Sequence, residues 1–195
     1  MAISVEDIKK LRDMTGAGMM KAKEALENAN GDMDKAVQYL REKGEATAAK
    51  KGDREAREGV IESYVHGGRI GVLVEINCET DFVARTEDFK TYARDVAMQV
   101  AAANPEYLNP QSVPEEIVAK EREIYANEVK GKPAEIIDKI VDGKLAKYYE
   151  GVCLMNQPFV KDPDVTIDKL TKELIAKLGE NIVIRRFVRY ELGQL

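Results

Sequence analysis

Apolar residues in the first 44 positions recur at helical spacing in three short runs. The first run places them on one face of a helix, at Val5, Ile8, Leu11 and Met14. Ser4 precedes this run as a capping residue, and the two glycines of residues 15–18 break the helix. The pattern predicts two more helices, one from about Met19 to Ala29 and one that Asp32 caps and Gly44 ends.

A polar segment separates these helices from the next apolar pattern. Residues 45–57 are small or charged, and they predict a partly helical linker at a domain boundary. Alternating residues then predict a β-hairpin, with strands Val60–His66 and Ile70–Cys78 around the turn Gly67-Gly68. Alternate residues of the return strand are apolar, which predicts one well-buried sheet face.

Helical patterns follow the hairpin. Residues 79–85 form a short connection, and Glu87–Ala103 form a helix with one apolar face. Three prolines between residues 105 and 114 mark an extended loop. Residues of about 115–150 predict a helical hairpin that turns at Lys130-Gly131-Lys132.

The end of the chain completes the predicted fold. Residues 157–163 are expected to be irregular or briefly extended, before a helix that Thr166 caps and Gly179 ends. Asn181–Leu192 then supply a third strand. The chain is therefore predicted to be α+β, with a three-helix domain at residues 1–44, a linker at 45–57 and a core domain at 58–195. We expect that core to hold a three-stranded antiparallel sheet packed with helices and the helical hairpin.

Composition and charge narrow the functional classes. The 195 residues carry a net charge of −5, which disfavours a surface dedicated to nucleic acid or to anionic membranes, because phosphate affinity comes from accumulated positive charge. No apolar run approaches the ~18 residues of a membrane span, and the first residues lack the pattern of a secretory signal. With two distant cysteines, the sequence predicts a cytoplasmic protein in a reducing compartment.

Catalytic chemistry has few candidate residues. The chain has one histidine, His66, and no phosphate-binding loop, dinucleotide fingerprint, paired-cysteine motif or nucleophile elbow. A pair with Cys78 is excluded by the predicted hairpin, which sets the two residues ~25 Å apart. We therefore expect a structural or solvent role for His66, no metal site and no cofactor.

Two short segments are candidates for protein contacts. Met19 and Met20 open a helix, and because adjacent helical residues differ by ~100° in direction, at least one of them should point away from a small core. Thr80-Asp81-Phe82 lie where a strand ends and a loop begins, a common position for functional residues. In one interpretation Thr80 or Asp81 is a cap and Phe82 belongs to the core; in the other Phe82 is an exposed aromatic anchor.

Three strings in the chain resemble one known family. They are LRDMTGAGMMKAKEALENANGDMDKAV at residues 11–37, INCETDFVARTEDF at 76–89 and GENIVIRRFVRYELG at 179–193. In this order and at this separation, TGAGMM and TDFVAR are similar to bacterial elongation factor Ts in its short form. The resemblance covers essentially the whole chain.

The resemblance implies a role and a set of contact residues. The family binds elongation factor Tu, a translational GTPase, and releases its GDP. Residues 1 to about 50 resemble its ubiquitin-associated-like docking domain, in which Arg12, Met19 and Met20 match contact positions. Thr80, Asp81, Phe82 and Val83 match the segment linked to displacement of magnesium from the nucleotide site. Longer members have a second sheet subdomain, which a homodimer would supply here.

Two other classes of function stay open at this point. One is an adaptor whose three-helix domain binds ubiquitin-like or peptide ligands, with the sheet domain as a dimerising scaffold. The other is a small-molecule enzyme, which the chain supports weakly because it offers no catalytic set. TDFVAR discriminates between an exchange factor and an adaptor, since an adaptor does not require it.

Overall fold

The computed structural model describes residues 3–131 and 133–194, which form eight α-helices and five strands. The helices are Val5–Thr15 (α1), Met19–Asn28 (α2), Met33–Lys51 (α3), Asp81–Ala84 (α4), Glu87–Ala103 (α5), Glu115–Glu128 (α6), Ala134–Val152 (α7) and Ile167–Leu178 (α8). The strands are Glu58–His66 (β1), Ile70–Cys78 (β2), Pro158–Phe159 (β3), Asp162–Thr166 (β4) and Ile182–Glu191 (β5). The α+β class predicted from the sequence is confirmed.

The chain divides into two compact units that are discontinuous in sequence. The first consists of Met1–Val60, Ile76–Lys90 and Lys169–Val183, and the second of Ile61–Glu75, Thr91–Asp168 and Ile184–Leu195. The residues predicted to contact the GTPase all belong to the first unit, namely Arg12, Met19, Met20 and 80–83. The domain limits of 1–44, 45–57 and 58–195 stay a prediction.

Helices α1 and α3 have the N-caps that the sequence predicted. The Ser4 side chain accepts a hydrogen bond from the Asp7 N–H at 3.0 Å, and the Asp32 side chain accepts one from Lys35 N at 3.0 Å. Gly16 ends α1 in the left-handed conformation, at φ +66°. A small core joins these helices, built from Ile8, Leu11, Ala22, Ala25, Leu26, Ala29 and Ala36. The likeness of this module to a ubiquitin-associated domain stays a prediction.

Helix α3 is longer than predicted. Gly44 does not end it; the helix continues to Lys51 because residues 45–51 are mostly Ala, Lys and Glu, which favour helix. Gly44 is buried, and a Cβ at this position would lie 3.3 Å from the Cβ of Ala176 in α8. The glycine therefore permits close packing of two helices instead of marking a terminus.

The hairpin and the three-stranded sheet are confirmed, with strand order β1-β2-β5. Gly67 and Gly68 have φ of +56° and +68°, and Arg69 N donates to His66 O at 3.0 Å, which defines a tight turn with both central residues left-handed. Leu192 N donates to Arg69 O at 2.8 Å at one end of the β2–β5 pair. The predicted buried face of β2 is also confirmed, for Val72, Val74, Ile76 and Cys78.

The second unit contains the predicted helical hairpin and an element that the sequence pattern missed. Helices α6 and α7 are joined by ion pairs, Arg122–Asp142 at 2.9 Å and Lys144–Glu128; Lys132, predicted in their connection, lies outside the described residues. Strands β3 and β4 form a second antiparallel sheet, which begins in the segment expected to be irregular or briefly extended and continues to Thr166. A strand of two residues is too short to show a period-two pattern.

No helix in the part of the chain that the structure describes is both long and apolar enough to cross a membrane.

Candidate protein-binding site

Phe82 lies on a short, capped helix immediately after the central strand. β2 ends at Cys78 and α4 begins at Asp81, so the backbone turns within two residues. Thr80 is extended and its Oγ1 accepts a hydrogen bond from Val83 N at 3.4 Å, which makes it the N-cap of α4. The cap role predicted for Thr80 is confirmed.

The Phe82 side chain is 78% exposed. Of the two interpretations of this residue, a core position is therefore wrong, and the exposed aromatic anchor agrees with the structure. The neighbouring Ala84 is buried, Val83 and Asp81 are half-buried, and the Asp81 carboxylate pairs with Arg85 at 2.7 Å. One turn of helix thus anchors one side in the protein and presents the phenyl ring to solvent.

A second threonine secures the other end of α4. Thr86 Oγ1 donates to Val83 O at 2.8 Å and accepts from Phe89 N at 3.3 Å, which couples α4 to the first turn of α5. Phe89 itself is fully buried. The two phenylalanines of this stretch therefore have opposite environments seven residues apart.

Cys78 and Cys153 are buried thiols with no sign of activation. Burial raises the pKa of Cys78 to about 11, and the negative charge of Glu180 adds to this effect. Burial likewise raises the pKa of Cys153 to about 11. Both thiols stay protonated at neutral pH, whereas a nucleophilic cysteine needs a lowered pKa.

The single histidine lies at the end of β1, next to the hairpin turn. His66 Nδ1 is 3.1 Å from the Tyr64 hydroxyl, and the two rings stack with centroids 6.1 Å apart. Among the described residues, no group of three His, Cys, Asp or Glu side chains could hold a metal ion.

Two of the three N-terminal candidate residues, Arg12 and Met19, are in contact. Arg12 lies in the last turn of α1, Met19 opens α2, and the Arg12 guanidinium is 3.9 Å from the Met19 sulfur. The same guanidinium donates two hydrogen bonds to Asp13 Oδ1, at 3.0 and 2.8 Å. Met19 is 39% and Met20 77% exposed, so both methionines reach solvent, where the helical geometry required at least one.

Two of the four apolar residues that the pattern placed on one face of α1 are exposed as well. Ile8 and Leu11 are buried, whereas Val5 and Met14 lie more than half exposed at the two ends of the helix. Helical spacing identifies the apolar face of α1, but it does not tell which residues of that face α2 and α3 cover.

Comparison with known proteins identifies the family. A family model described as Elongation factor TS matches residues 3–194. The chain belongs to the elongation factor Ts family. The resemblance inferred from the three sequence strings is thereby confirmed.

Individual relatives match over almost their full length. A protein named Elongation factor Ts from Carboxydothermus hydrogenoformans is 60% identical over 195 residues, which cover 98% of this chain and 90% of the relative. Its namesake from Syntrophus aciditrophicus is 57% identical over 197 residues, covering 100% of this chain and 98% of the relative. A third, from Thermodesulfovibrio yellowstonii, is 54% identical over 195 residues, covering 100% and 98%.

The contrast between Phe82 and Phe89 gives a direct stability test of the exposed anchor. We expect Phe82→Ala to change the free energy of unfolding by less than ~1 kcal/mol, since substitutions of exposed residues away from special contacts cost little. Phe89→Ala, the matched control, should cost ~3–5 kcal/mol because it empties a buried site. Urea unfolding of both variants measures this. Equal large losses would contradict the exposed position of Phe82.

Proposed function

We propose that this protein is a guanine nucleotide exchange factor for elongation factor Tu and that it accelerates GDP release during translation elongation in the cytoplasm. The observation that carries the proposal is the exposed Phe82 on a capped turn, in a chain of the elongation factor Ts family. The proposed role needs no covalent chemistry and no cofactor, and it uses neither of the buried, protonated thiols.

Nucleotide exchange depends on differential binding. A factor that binds the nucleotide-free GTPase more tightly than the loaded form weakens nucleotide binding by the same ratio, because coupling between two ligands is reciprocal. Such a factor speeds equilibration without choosing GDP or GTP. It needs a surface that fits one arrangement of the GTPase, and it needs neither a general acid nor a nucleophile.

The Thr80–Val83 segment is the element that displaces magnesium. GDP is held by backbone N–H groups, a lysine and a magnesium ion that bridges protein and phosphate. Phe82 is a large side chain with few rotamers to order, and inserted between elements of the GTPase it keeps them apart. Asp81 brings carboxylate acceptors and negative charge that compete for donors near the metal. With the metal gone, the phosphate charge is less compensated and GDP leaves faster.

Docking is the task of the N-terminal helices. Arg12, Met19 and Met20 form the contact surface on the GTPase domain, where the methionines supply adaptable apolar contacts and Arg12 supplies polar ones. The 3.9 Å contact between Arg12 and the Met19 sulfur supports their acting as one patch. This module sets affinity, and the Thr80–Val83 segment sets the exchange rate in the bound complex.

The homodimer forms through one face of the sheet in the second unit. Arg186 of β5 pairs with Glu75 of β2 at 2.7 Å, so these two residues point to the same side. By alternation, the same side carries the exposed apolar residues Leu73, Val188, Tyr190 and Leu192. Pairing of two identical faces buries this surface, and symmetric pairing is the commonest arrangement for homo-oligomers.

The exchange activity is tested by release of fluorescent GDP from elongation factor Tu. The protein should accelerate release, and Phe82→Ala should slow the accelerated reaction by about tenfold or more, since a central aromatic anchor contributes ~2 kcal/mol. Asp81→Ala should slow it less. Val160→Ala, which truncates an exposed side chain outside the segment, is the control. If elongation factor Tu released GDP as fast with the Phe82→Ala protein as with the wild type, Phe82 would not be the side chain that keeps the GTPase elements apart.

A deletion of the N-terminal helices would also remove the packing of α3 on α8 at Gly44 and Ala176. Point variants therefore test the docking surface more cleanly. Changing Met19 and Met20 together to Ala should weaken binding by ~1–3 kcal/mol if they are anchors, while the maximal exchange rate at saturation stays near wild type. Val5→Ala, seven residues and ~10 Å along α1 from Arg12, should leave affinity unchanged. A lowered maximal rate with unchanged affinity would contradict this division of roles.

The oligomeric state is measured by sedimentation equilibrium at micromolar concentration. We expect twice the mass of one chain for the wild type and the mass of a single chain for Tyr190→Asp, because a carboxylate buried without a partner is costly. Ile124→Asp, a change at an exposed apolar residue of α6, should remain dimeric. A wild-type protein that is monomeric and still exchanges nucleotide at full rate would show that the proposed dimer does not form and is not needed for exchange.

A further inference from the structure

A carboxylate from a distant part of the chain holds the residue that starts α4. Glu180 follows Gly179, whose left-handed conformation at φ +79° ends α8. The Glu180 Oε2 atom accepts hydrogen bonds from the N–H groups of Glu79 at 3.1 Å and Thr80 at 3.0 Å. Its Oε1 atom accepts the Thr80 hydroxyl at 2.7 Å. One side chain thus receives three bonds from two consecutive residues.

These bonds fix the direction of the Thr80 hydroxyl. An ionised carboxylate can only accept hydrogen bonds, so the Thr80 O–H must donate to Glu180. The lone pairs of Oγ1 then remain to accept from Val83 N, which is the cap of α4. The Thr80 carbonyl is held as well, since it accepts from Cys78 Sγ at 3.1 Å and from Ala84 N at 3.3 Å.

Glu79 and Asn181, the chain neighbours of Thr80 and Glu180, make a contact of the reverse kind. Glu79 Oε1 accepts from Asn181 N at 2.7 Å, and this hydrogen bond lowers the pKa of Glu79. Asn181 Nδ2 in turn donates to the carbonyls of Gly52 at 3.2 Å and Arg54 at 2.7 Å. Reciprocal contacts between 79–80 and 180–181 therefore tie the approach to α4 to the start of β5.

We propose that Glu180 is a positioning residue for nucleotide exchange: it fixes Thr80 and thereby the position at which Phe82 meets the GTPase. The inference rests on the proposed function. Phe82 is exposed, so packing of its own ring does not orient it in the free protein, and the backbone of α4 must do so. Displacements of about 1 Å at a working group lower rates by up to about 100-fold, which makes the anchor of α4 a determinant of rate.

The first measurement uses the protein alone. Amide hydrogen exchange of Glu79 and Thr80 should speed up by about tenfold in Glu180→Ala, because the lost bonds are to a charged acceptor. Glu173→Ala is the matched control; it removes a neighbouring carboxylate whose partner is Arg41, at 3.9 Å. Glu180→Gln keeps the shape and part of the hydrogen bonding, and it provides a folded variant if the alanine protein unfolds.

The second measurement separates rate from affinity in GDP release. Glu180→Ala should lower the maximal release rate by about tenfold, as expected for lost bonds to a charged group, with the half-saturating concentration unchanged because Met19 and Met20 are intact. Glu180→Gln should restore part of the rate, and Glu173→Ala should match wild type. In a Phe82→Ala background, Glu180→Ala should cause a much smaller further loss, since most of its effect passes through Phe82 and only the remainder through Asp81.

The outcomes are distinct. A wild-type maximal rate in Glu180→Ala, or the same fold loss with and without Phe82, would overturn the positioning role while the exchange function stands. A wild-type protein that does not accelerate GDP release would remove the exchange function and the positioning role together. The amide measurement on the protein alone would then still report whether the Glu180 contact forms.

Discussion

An exposed aromatic side chain can act as a wedge only if the backbone that carries it is rigid. Phe82 projects into solvent, so the order it needs comes from Thr80, which is held through its N–H, hydroxyl and carbonyl groups by Glu180, Cys78 and Ala84. The central strand brings Thr80 to this position, and the end of α8 brings Glu180. Two distant parts of the first unit thus support one turn of helix.

The proposed roles of docking, exchange and dimerisation each use apolar side chains that the folded protein leaves exposed. The small core of α1, α2 and α3 uses Leu11 and Leu26 and leaves Met19 and Met20 exposed, with Met19 in contact with Arg12; these residues are the proposed docking surface. The sheet buries one face of β2 and leaves Tyr190 and Leu73 exposed on the other side. Affinity, exchange and dimerisation are thus assigned to separate surfaces, and this separation allows each to be tested by substitutions that leave the others intact.

Local patterns predicted the long elements, but they predicted neither the single turn α4 and the short strands β3 and β4 nor the contacts between elements. The bounds of α5 and β2 were predicted in full, because each has a long and regular apolar period. The end of α3 was missed because Gly44 has the same sequence signature whether it stops a helix or admits a neighbour such as Ala176. Whether Phe82 is core or surface depends on packing that the sequence does not display. The Glu180–Thr80 bonds join residues 100 positions apart, so no local pattern could reveal them.

If Phe82 accelerates GDP release by displacing the magnesium ion, its effect must depend on the concentration of that ion. The most direct test is to measure GDP release from elongation factor Tu over a series of free magnesium concentrations, with the wild-type protein and with Phe82→Ala. The ratio of the GDP release rate with wild type to that with Phe82→Ala should be largest when magnesium is saturating, and it should fall towards one as a chelator removes the metal. A ratio that stays constant across the series would show that Phe82 acts on the nucleotide site without the metal and would contradict the account.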